Sequence, residues 1–410
     1  MTSNKQLNFL KSPFFIPWIL ALLFYALEYG VRSSPSVMIP QLTGNFNLST
    51  TEVSAIISAY YITYSVGSLA AGLLLDRIGA KHPLAIGIII LALGCVLFIS
   101  SNYFWGYTGR LLQGLGSAIA FPASVFLAVK AFSGKNLATA IGVTQTLGML
   151  GGSAGQKLSN SYLTSGNSYN SLWIIFGVSS LVLGVLAFVF TPKTNTDEFT
   201  EVRKQPLLAN YKIVFSNWQS WLCGFASGLL FAPTTIFAMI WGVDFLEQAR
   251  HLTHGQATVA CALVPIGWAI GCPLFGWLAD KFEKRIPVLA GGAVVMILCL
   301  LQLAFLPHLM GPGMSLFFMG VGSGAAMLPY STIKEVNPDK VKGSATGAIN
   351  FLVFGVTSLL SPVFTHLFAS KLDMAVNKNA IFQQSCFFFI IAIGIAIFLC
   401  TFLRETGKEK

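Results

Sequence analysis

Charge is scarce in this chain. Asp, Glu, Lys and Arg make up 10% of its 410 residues, and only 15 residues are acidic. Soluble domains carry about 25% charged residues, so a water-soluble enzyme is excluded and the bilayer has to act as the solvent. Histidine is also sparse, and His82, His251, His254, His308 and His366 form no ligand cluster. His251 and His254, at i and i+3, are a weak metal signal and read as loop residues. The seven cysteines (Cys95, Cys223, Cys261, Cys272, Cys299, Cys386, Cys400) all fall inside apolar runs. None has metal-ligand spacing or a loop position where a disulfide would help. No metal or other cofactor is expected, and with no Walker loop ATP is not the driving force. The net charge of +10 would suggest nucleic acid in a soluble protein. Here the gathering of Lys and Arg in cytoplasmic loops accounts for it.

Apolar residues are abundant: 54% of the chain is hydrophobic, with 34 Phe and 39 Gly. Twelve runs near the ~20 residues that cross a hydrocarbon core fall at about 14–40, 52–75, 83–101, 104–129, 136–158, 171–191, 219–244, 255–279, 286–306, 311–331, 343–369 and 380–403. The first is too long and too charged, with Glu28 and Arg32, for a cleaved signal peptide. The longest polar stretch, about 192–216, divides an N-terminal unit of 1–191 from a C-terminal unit of 217–410. With both termini placed in the cytoplasm, 19 of the 25 Lys and Arg lie on that side. They include Arg77, Lys81, Lys130, Lys135, Arg203, Lys204, Lys281, Lys284, Arg285, Lys340 and Lys342. Only Arg250, Lys371 and Lys378 then lie outside, a bias that sets the topology.

The two units repeat one another. Gly67 to Lys81 returns as Gly271 to Arg285 without a gap, with Gly72 on Gly276, Asp76 on Asp280, Arg77 on Lys281 and Lys81 on Arg285. Gly114 to Pro122 in span four returns as Gly320 to Pro329 in span ten, one residue longer, and Gly142 and Gln145 match Gly347 and Asn350. Such duplication points to a carrier built from paired helix bundles around a midplane cavity.

The pattern Gly72-x3-Asp76-Arg77-x-Gly79-x-Lys81 resembles the signature loop of the major facilitator superfamily. Arg110-x2-Gln113-Gly114-x-Gly116 resembles that superfamily's second motif. The resemblance spans essentially the whole chain and implies an all-α membrane fold of twelve helices in two pseudo-symmetric bundles. The second loop departs from the pattern, with Glu283 where Gly would stand. In the loops, Asp76 with Arg77 and Lys81, and Asp280 with Lys281 and Arg285, read as gate latches. The alternative is a plain topological anchor.

Charges inside a bilayer are costly and mark function by default. Glu28 and Arg32 share one face of span one. They read as proton carrier and anion-binding residue, or alternatively as a static ion pair. The stretch from Leu27 through Arg32 to Pro40 resembles span one of the organic-anion branches, where an arginine at this place meets the substrate. The anion:cation symporters' Asp directly before it is Val31 here, and Glu28 is taken as its stand-in. The organophosphate carriers' second basic residue in span seven has no equivalent before Arg250. Arg110 reads as a proton-coupling residue or as an anchor to neighbouring carbonyls. Lys157 is expected to snorkel to the interface, and Asp244 and Glu247 to be solvated rim residues. Gln145 and Asn350 read as cavity wall or as interhelical hydrogen bonds. Tyr25, Tyr61, Tyr64, Trp241 and Trp268 are further candidates for lining the site. The small-residue run Gly148 to Gly155 resembles the exporters' antiporter region, but Gln156 replaces the Pro of its Gly-Pro. Close helix packing is its other reading.

These features point to a secondary active transporter. The expectation is proton-coupled uptake of a small carboxylate-bearing solute such as an organic acid, amino acid or short peptide. It would act as a monomer in a bacterial inner membrane. The rivals are a proton-driven exporter of a drug, siderophore or metabolite, and a non-transporting receptor or scaffold on the same fold.

Overall fold

The computed structural model describes residues 12–132, 135–193, 206, 208–338, 341–372 and 375–407, without the side chains of 50, 51, 76, 135, 136, 138 and 139. The gate residue Asp76 therefore has a described backbone only, and Arg203, Lys204 and Lys340 lie outside the described residues. Every regular element among those described is helical. Ten helices are long and apolar enough to cross a membrane: Phe15–Val37, Glu52–Leu75, Tyr103–Ala131, Tyr169–Phe190, Trp218–Arg250, His254–Phe282, Ile286–Phe305, Pro312–Glu335, Lys342–Leu372 and Lys378–Cys400. Lys81–Leu97 is apolar over 17 residues. Lys135–Thr164 is long enough at 30 residues and carries more polar groups. These twelve spans, numbered in chain order, match the twelve apolar runs one to one. Large apolar side chains such as Leu158, Val185, Leu298, Leu359 and Ile391 stay exposed on the outside, as lipid-facing residues must be.

The helix starts extend the repeat. Ser49 and Glu52 form a reciprocal capping box at the start of span two, and Thr253 and Gln256 form the same box at span eight. Each satisfies two orphan backbone donors. The serine and threonine lie 204 residues apart, the offset of the loop repeat.

Several spans are not single helices. Span four breaks between Ser117 and Ala120, and span ten passes through a 3-10 turn at Gly324–Met327. The breaks sit just before the matched Pro122 and Pro329, which lack the donor that would continue the ladder. Spans seven and eleven widen into π-helix at Pro233–Trp241 and Thr365–Ala369. Span five runs to Thr164, six residues beyond the expected 158. The middle stretch is not simply a loop, because Ala209–Ser216 is helical.

In the first bundle span one packs on spans four, five and six, and span three on four and six; in the second, span eight packs on ten and seven on eleven and twelve. Glycine permits the closest approaches. A Cβ on Gly114 would stand 2.0 Å from the Tyr60 carbonyl oxygen, and one on Gly320 would stand 2.1 Å from that of Val264. The two bundles thus repeat a backbone contact as well as a sequence. They meet along two seams, span two against eleven and span five against eight.

Candidate functional site

Between the bundles lies a cavity of about 20 Å³ walled by aromatic rings and two amides. Gln145 and Asn350, the residues matched by the repeat, both line it. Each amide oxygen already accepts one hydrogen bond: Tyr25 donates its hydroxyl to Gln145 Oε1 at 2.8 Å, and Tyr330 donates to Asn350 Oδ1 at 2.6 Å. Gln145 Nε2 has only the soft acceptor Met327 Sδ at 3.6 Å. Each oxygen keeps a second lone pair, and the amide N–H groups are the donors that a carboxylate could accept from. Tyr25, Tyr64 and Trp268 line this cavity as expected, joined by Tyr29, Tyr330 and Phe354. Tyr61 and Trp241 are buried outside its lining.

A larger cavity of about 530 Å³ shares Phe121, Gln145, Trp268, Met327 and Tyr330 with the first. It continues to Asp280, Arg285 and Lys334, at the end of the bundles that carries the repeated loops. The opposite end is sewn shut along the seam of spans two and eleven. Ser54 meets Thr365 at 2.6 Å and Ser58 meets Ser361 at 2.8 Å. Gln156 reinforces the closure, donating to Ser36 Oγ at 2.9 Å and to the Ala238 carbonyl of the π segment at 2.6 Å. His254 is not a free loop residue. Its ring sits 3.0 Å from Glu247 Oε1 and 3.2 Å from the Val37 carbonyl of the first bundle. Glu247 is accordingly a partner in this contact rather than a solvated rim residue.

Glu28 and Arg32 form an ion pair with 0% exposure on both sides. Arg32 Nη2 donates to both carboxylate oxygens, at 3.1 and 3.0 Å. Tyr60 closes the triangle, donating to Glu28 Oε2 at 2.6 Å and accepting from Arg32 Nε at 3.3 Å. Besides the Tyr60 ring at 5.3 Å, the guanidinium lies against three more, 4.1 Å from the centre of Tyr29, 4.4 Å from Tyr64 and 5.0 Å from Phe354. Those same three rings line the central cavity, so the pair sits one aromatic layer behind its wall. Arg32 Nη1 is buried with no hydrogen-bond partner among the described residues. Leaving such a donor unmet is expensive, and it leaves the cation able to accept one more oxygen.

Arg110 is an anchor in this structure. It donates to the carbonyls of Val31 at 3.2 Å and Ile57 at 3.4 Å, and to Gln113 Oε1 at 2.6 Å. Gln113 in turn donates to the Gly94 carbonyl at 3.1 Å. The second motif therefore ties spans one, two, three and four together. Lys157 is exposed, as a snorkelling residue should be. The run Gly148 to Gly155 packs span five on span one: a Cβ on Gly155 would lie 2.4 Å from Gly30 Cα.

In the signature loop, Gly79 ends span two at φ 72°, a conformation that favours glycine. Glu283, its counterpart, adopts φ 53° with a side chain in place. The two loops turn differently: Gly79 combines its positive φ with an extended ψ of −175°, whereas Glu283 is left-handed helical at ψ 31°. Gly72 faces the Tyr211 hydroxyl of the middle helix, which donates to the Leu69 carbonyl at 2.9 Å. Arg77 and Asp280 are both engaged. Lys81 lies over the Phe188 ring and Lys281 over Trp277, while Arg285 Nη2 bonds Glu335 Oε1 at 2.5 Å. Glu405 clasps this loop from the C-terminal tail, accepting from the backbone N–H of Arg285 at 2.7 Å and Ile286 at 3.2 Å.

Two six-helix bundles enclosing a largely aromatic cavity between them, closed at one end, define a membrane carrier. A family model described as Major Facilitator Superfamily matches residues 21–362, and the chain belongs to that superfamily. It is therefore a multi-pass membrane protein of a transporter family and not an enzyme. The chain is 22% identical over 389 residues to the probable galactarate/D-glucarate transporter GudP of Bacillus subtilis, covering 85% of this chain and 84% of that protein. It is 23% identical over 379 residues to the chloramphenicol resistance protein CraA of Acinetobacter baumannii, covering 88% and 90%. The fold superposes on the inward-facing, unoccupied crystal structure of a bacterial homologue of the human lysosomal transporter Spinster, with TM-score 0.72, 14% identity and coverage of 95% and 96%.

The structure places Gln145 and Asn350 on the cavity and the Glu28–Arg32 pair behind its wall; Tyr29, Tyr60, Tyr330, Phe354, Gln156 and Lys334, which join them, carry no separate signal for this in the sequence. Tyr60 and Tyr64 lie on one face of span two at i and i+4, one turn apart. That spacing could have flagged an aromatic stripe, though not what it faces.

Proposed function

We propose that this protein carries a small carboxylate-bearing solute across the membrane by alternating access, coupled to protons. The observation that carries the reading is the sealed Glu28–Arg32–Tyr60 triangle behind the cavity wall, with one arginine nitrogen unmet. The pair is neutral as it stands. A carboxylate arriving at Arg32 makes the site negative in a region of low dielectric, where unbalanced charge is costly. Protonation of Glu28 restores neutrality and releases Arg32 to the substrate. One proton then accompanies one carboxylate, and rotation of Tyr29 or Tyr64 opens the way. The amide N–H groups of Gln145 and Asn350 orient the solute. Similarity to a sugar-acid transporter supports this solute class.

In this reading the units 1–191 and 217–410 rock against each other, the loop-bearing end faces the cytoplasm, and both termini lie there. The structure is then inward-facing. The serine and threonine seam is the closed outer gate, and the loops latch the inner one in the opposite state. The carrier works as a monomer in a bacterial inner membrane. The test is uptake into proteoliposomes under an imposed inward proton gradient, with pooled sugar acids, other organic acids, amino acids and dipeptides. Gradient-dependent accumulation that vanishes in Arg32→Ala supports the reading.

The second reading is a proton-driven exporter. The aromatic cavity wall and the similarity to a drug-resistance protein favour it. It predicts efflux of bulky amphiphiles under the reversed gradient and no accumulation of any carboxylate.

A further inference from the structure

The charged groups of the larger cavity sit at its loop-bearing end: Asp280, Arg285 and Lys334. Two of the three are occupied elsewhere, Asp280 by interactions of its own and Arg285 by Glu335. Lys334 is different. Among the described residues no carboxylate forms an ion pair with its ammonium, and no hydrogen bond takes its N–H groups. Its immediate neighbour Glu335 is held by Arg285. Its side chain is half-buried.

The lysine also has a particular address. It follows Tyr330 by one helical turn, about 6 Å along the axis, and Ser331 lies between them on the cavity wall. Tyr330 is the residue that holds Asn350 in the central site. A solute moving between that site and the cavity mouth therefore passes Lys334. The second helix of span four likewise carries a lysine in its last turn, Lys130, 204 residues before Lys334.

We propose that Lys334 is an anion-capture site at the cytoplasmic mouth of the cavity, taking the carboxylate of the solute before it enters the amide pair or after it leaves. A partnerless, half-buried ammonium recovers its lost solvation from an anionic ligand. This inference rests on the reading of the solute as an anion, but its first test does not.

The first test is chemical access. Ser331→Cys on a Cys272→Ser background, in inside-out vesicles, is modified with an anionic sulfonatoethyl and a cationic trimethylammonium-ethyl thiosulfonate. With Lys334 present, the anionic reagent is favoured. Lys334→Met lowers the anionic-to-cationic rate ratio by about tenfold, from one unit charge acting at roughly 7 Å on reagents of both signs. Lys334→Arg keeps the ratio. The second test is transport: Lys334→Met raises KM about tenfold from the cytoplasmic face, leaves the outer-face KM near wild type, and is rescued by Arg. A rate ratio unmoved by Lys334→Met overturns the inference whatever the protein carries. So does a changed ratio with an unchanged cytoplasmic KM. If the wild type accumulates no anion, the transport reading fails by itself and the labelling ratio alone decides whether Lys334 captures anions.

Discussion

Replacing Glu28 by Gln removes one charge and almost no volume from a fully buried triangle. The arginine keeps Tyr60, an amide oxygen in place of the carboxylate, and its aromatic faces at 4.1 and 4.4 Å. Breaking a buried ion pair by removing one partner costs about 3–5 kcal/mol. A neutral acceptor in the same place returns about 1 kcal/mol, so the net loss should be near 3 kcal/mol. For a chain of this size that lowers the melting temperature by roughly 3–4 °C. Two further measurements separate this from a nonspecific defect. The double variant Glu28→Gln/Arg32→Met, neutral and similar in volume, should regain most of the loss, because buried pairs are often replaceable by apolar groups. A transported carboxylate should stabilise Glu28→Gln more than wild type, since it supplies the missing charge and shifts unfolding by mass action. In proteoliposomes Glu28→Gln should exchange solute across the membrane but no longer accumulate it on a proton gradient. Gradient-driven accumulation by Glu28→Gln would refute the coupling argument. A melting temperature equal to wild type would refute the energetic one.

Four other outcomes follow from the geometry. Ser58→Cys/Ser361→Cys places two sulfurs where the hydroxyls lie 2.8 Å apart; oxidation should cross-link the seam of spans two and eleven and stop flux, and reduction should restore it. Gly155→Ala sets a methyl 2.4 Å from Gly30 Cα and should destabilise by about 1–3 kcal/mol through overpacking, whereas Gly142→Ala, with open space around it, should not. Glu283→Gly relieves a left-handed residue at φ 53° and should raise the unfolding midpoint, by up to about 1 kcal/mol less the added chain entropy. Glu405 lies outside the spans: partial burial pushes its carboxyl up, but N–H donation from Arg285, Gly407, Ile286 and Thr406 outweighs this and leaves it below its ordinary 4.5. With the folded value depressed, its stabilisation is complete above pH 4.5 and is lost as pH falls through the folded value. A melting difference between wild type and Glu405→Gln should therefore be present at pH 7 and shrink on acidification below 4.5.

The spans were legible because apolar length against membrane thickness is a one-dimensional property. Kinks at Pro122 and Pro329 follow from a missing donor, although their exact form, a break in one and a 3-10 turn in the other, depends on neighbours. The charged members of the site were legible for a related reason. Few charges exist, and a charge inside a bilayer run needs a cause, so Glu28, Arg32 and Arg110 announce themselves. Their partners do not. Tyr60, Tyr29 and Tyr64 sit among 11 Tyr and 34 Phe, and nothing local distinguishes a ring that stacks on a guanidinium from one that faces lipid. Gln156, read only as a departure from an exporter motif, is a tie between spans one, five and seven.

What the sequence by itself determined is the membrane environment, the number and order of the spans, the duplication, and the identity of the intramembrane charges. Each of these is set by composition and by spacing along the chain. Only the tertiary structure decided which charges are used and how. Arg110 became an anchor because two carbonyls from other spans converge on it, and Lys334 lines the cavity with no ion-pair partner among the described residues, its neighbour Glu335 being held by Arg285. The amides of Gln145 and Asn350 face one cavity because two bundles, 205 residues apart in register, close around it. Hydrogen bonds and ion pairs act over about 3 Å. Packing alone settles which residues distant in sequence come within that range.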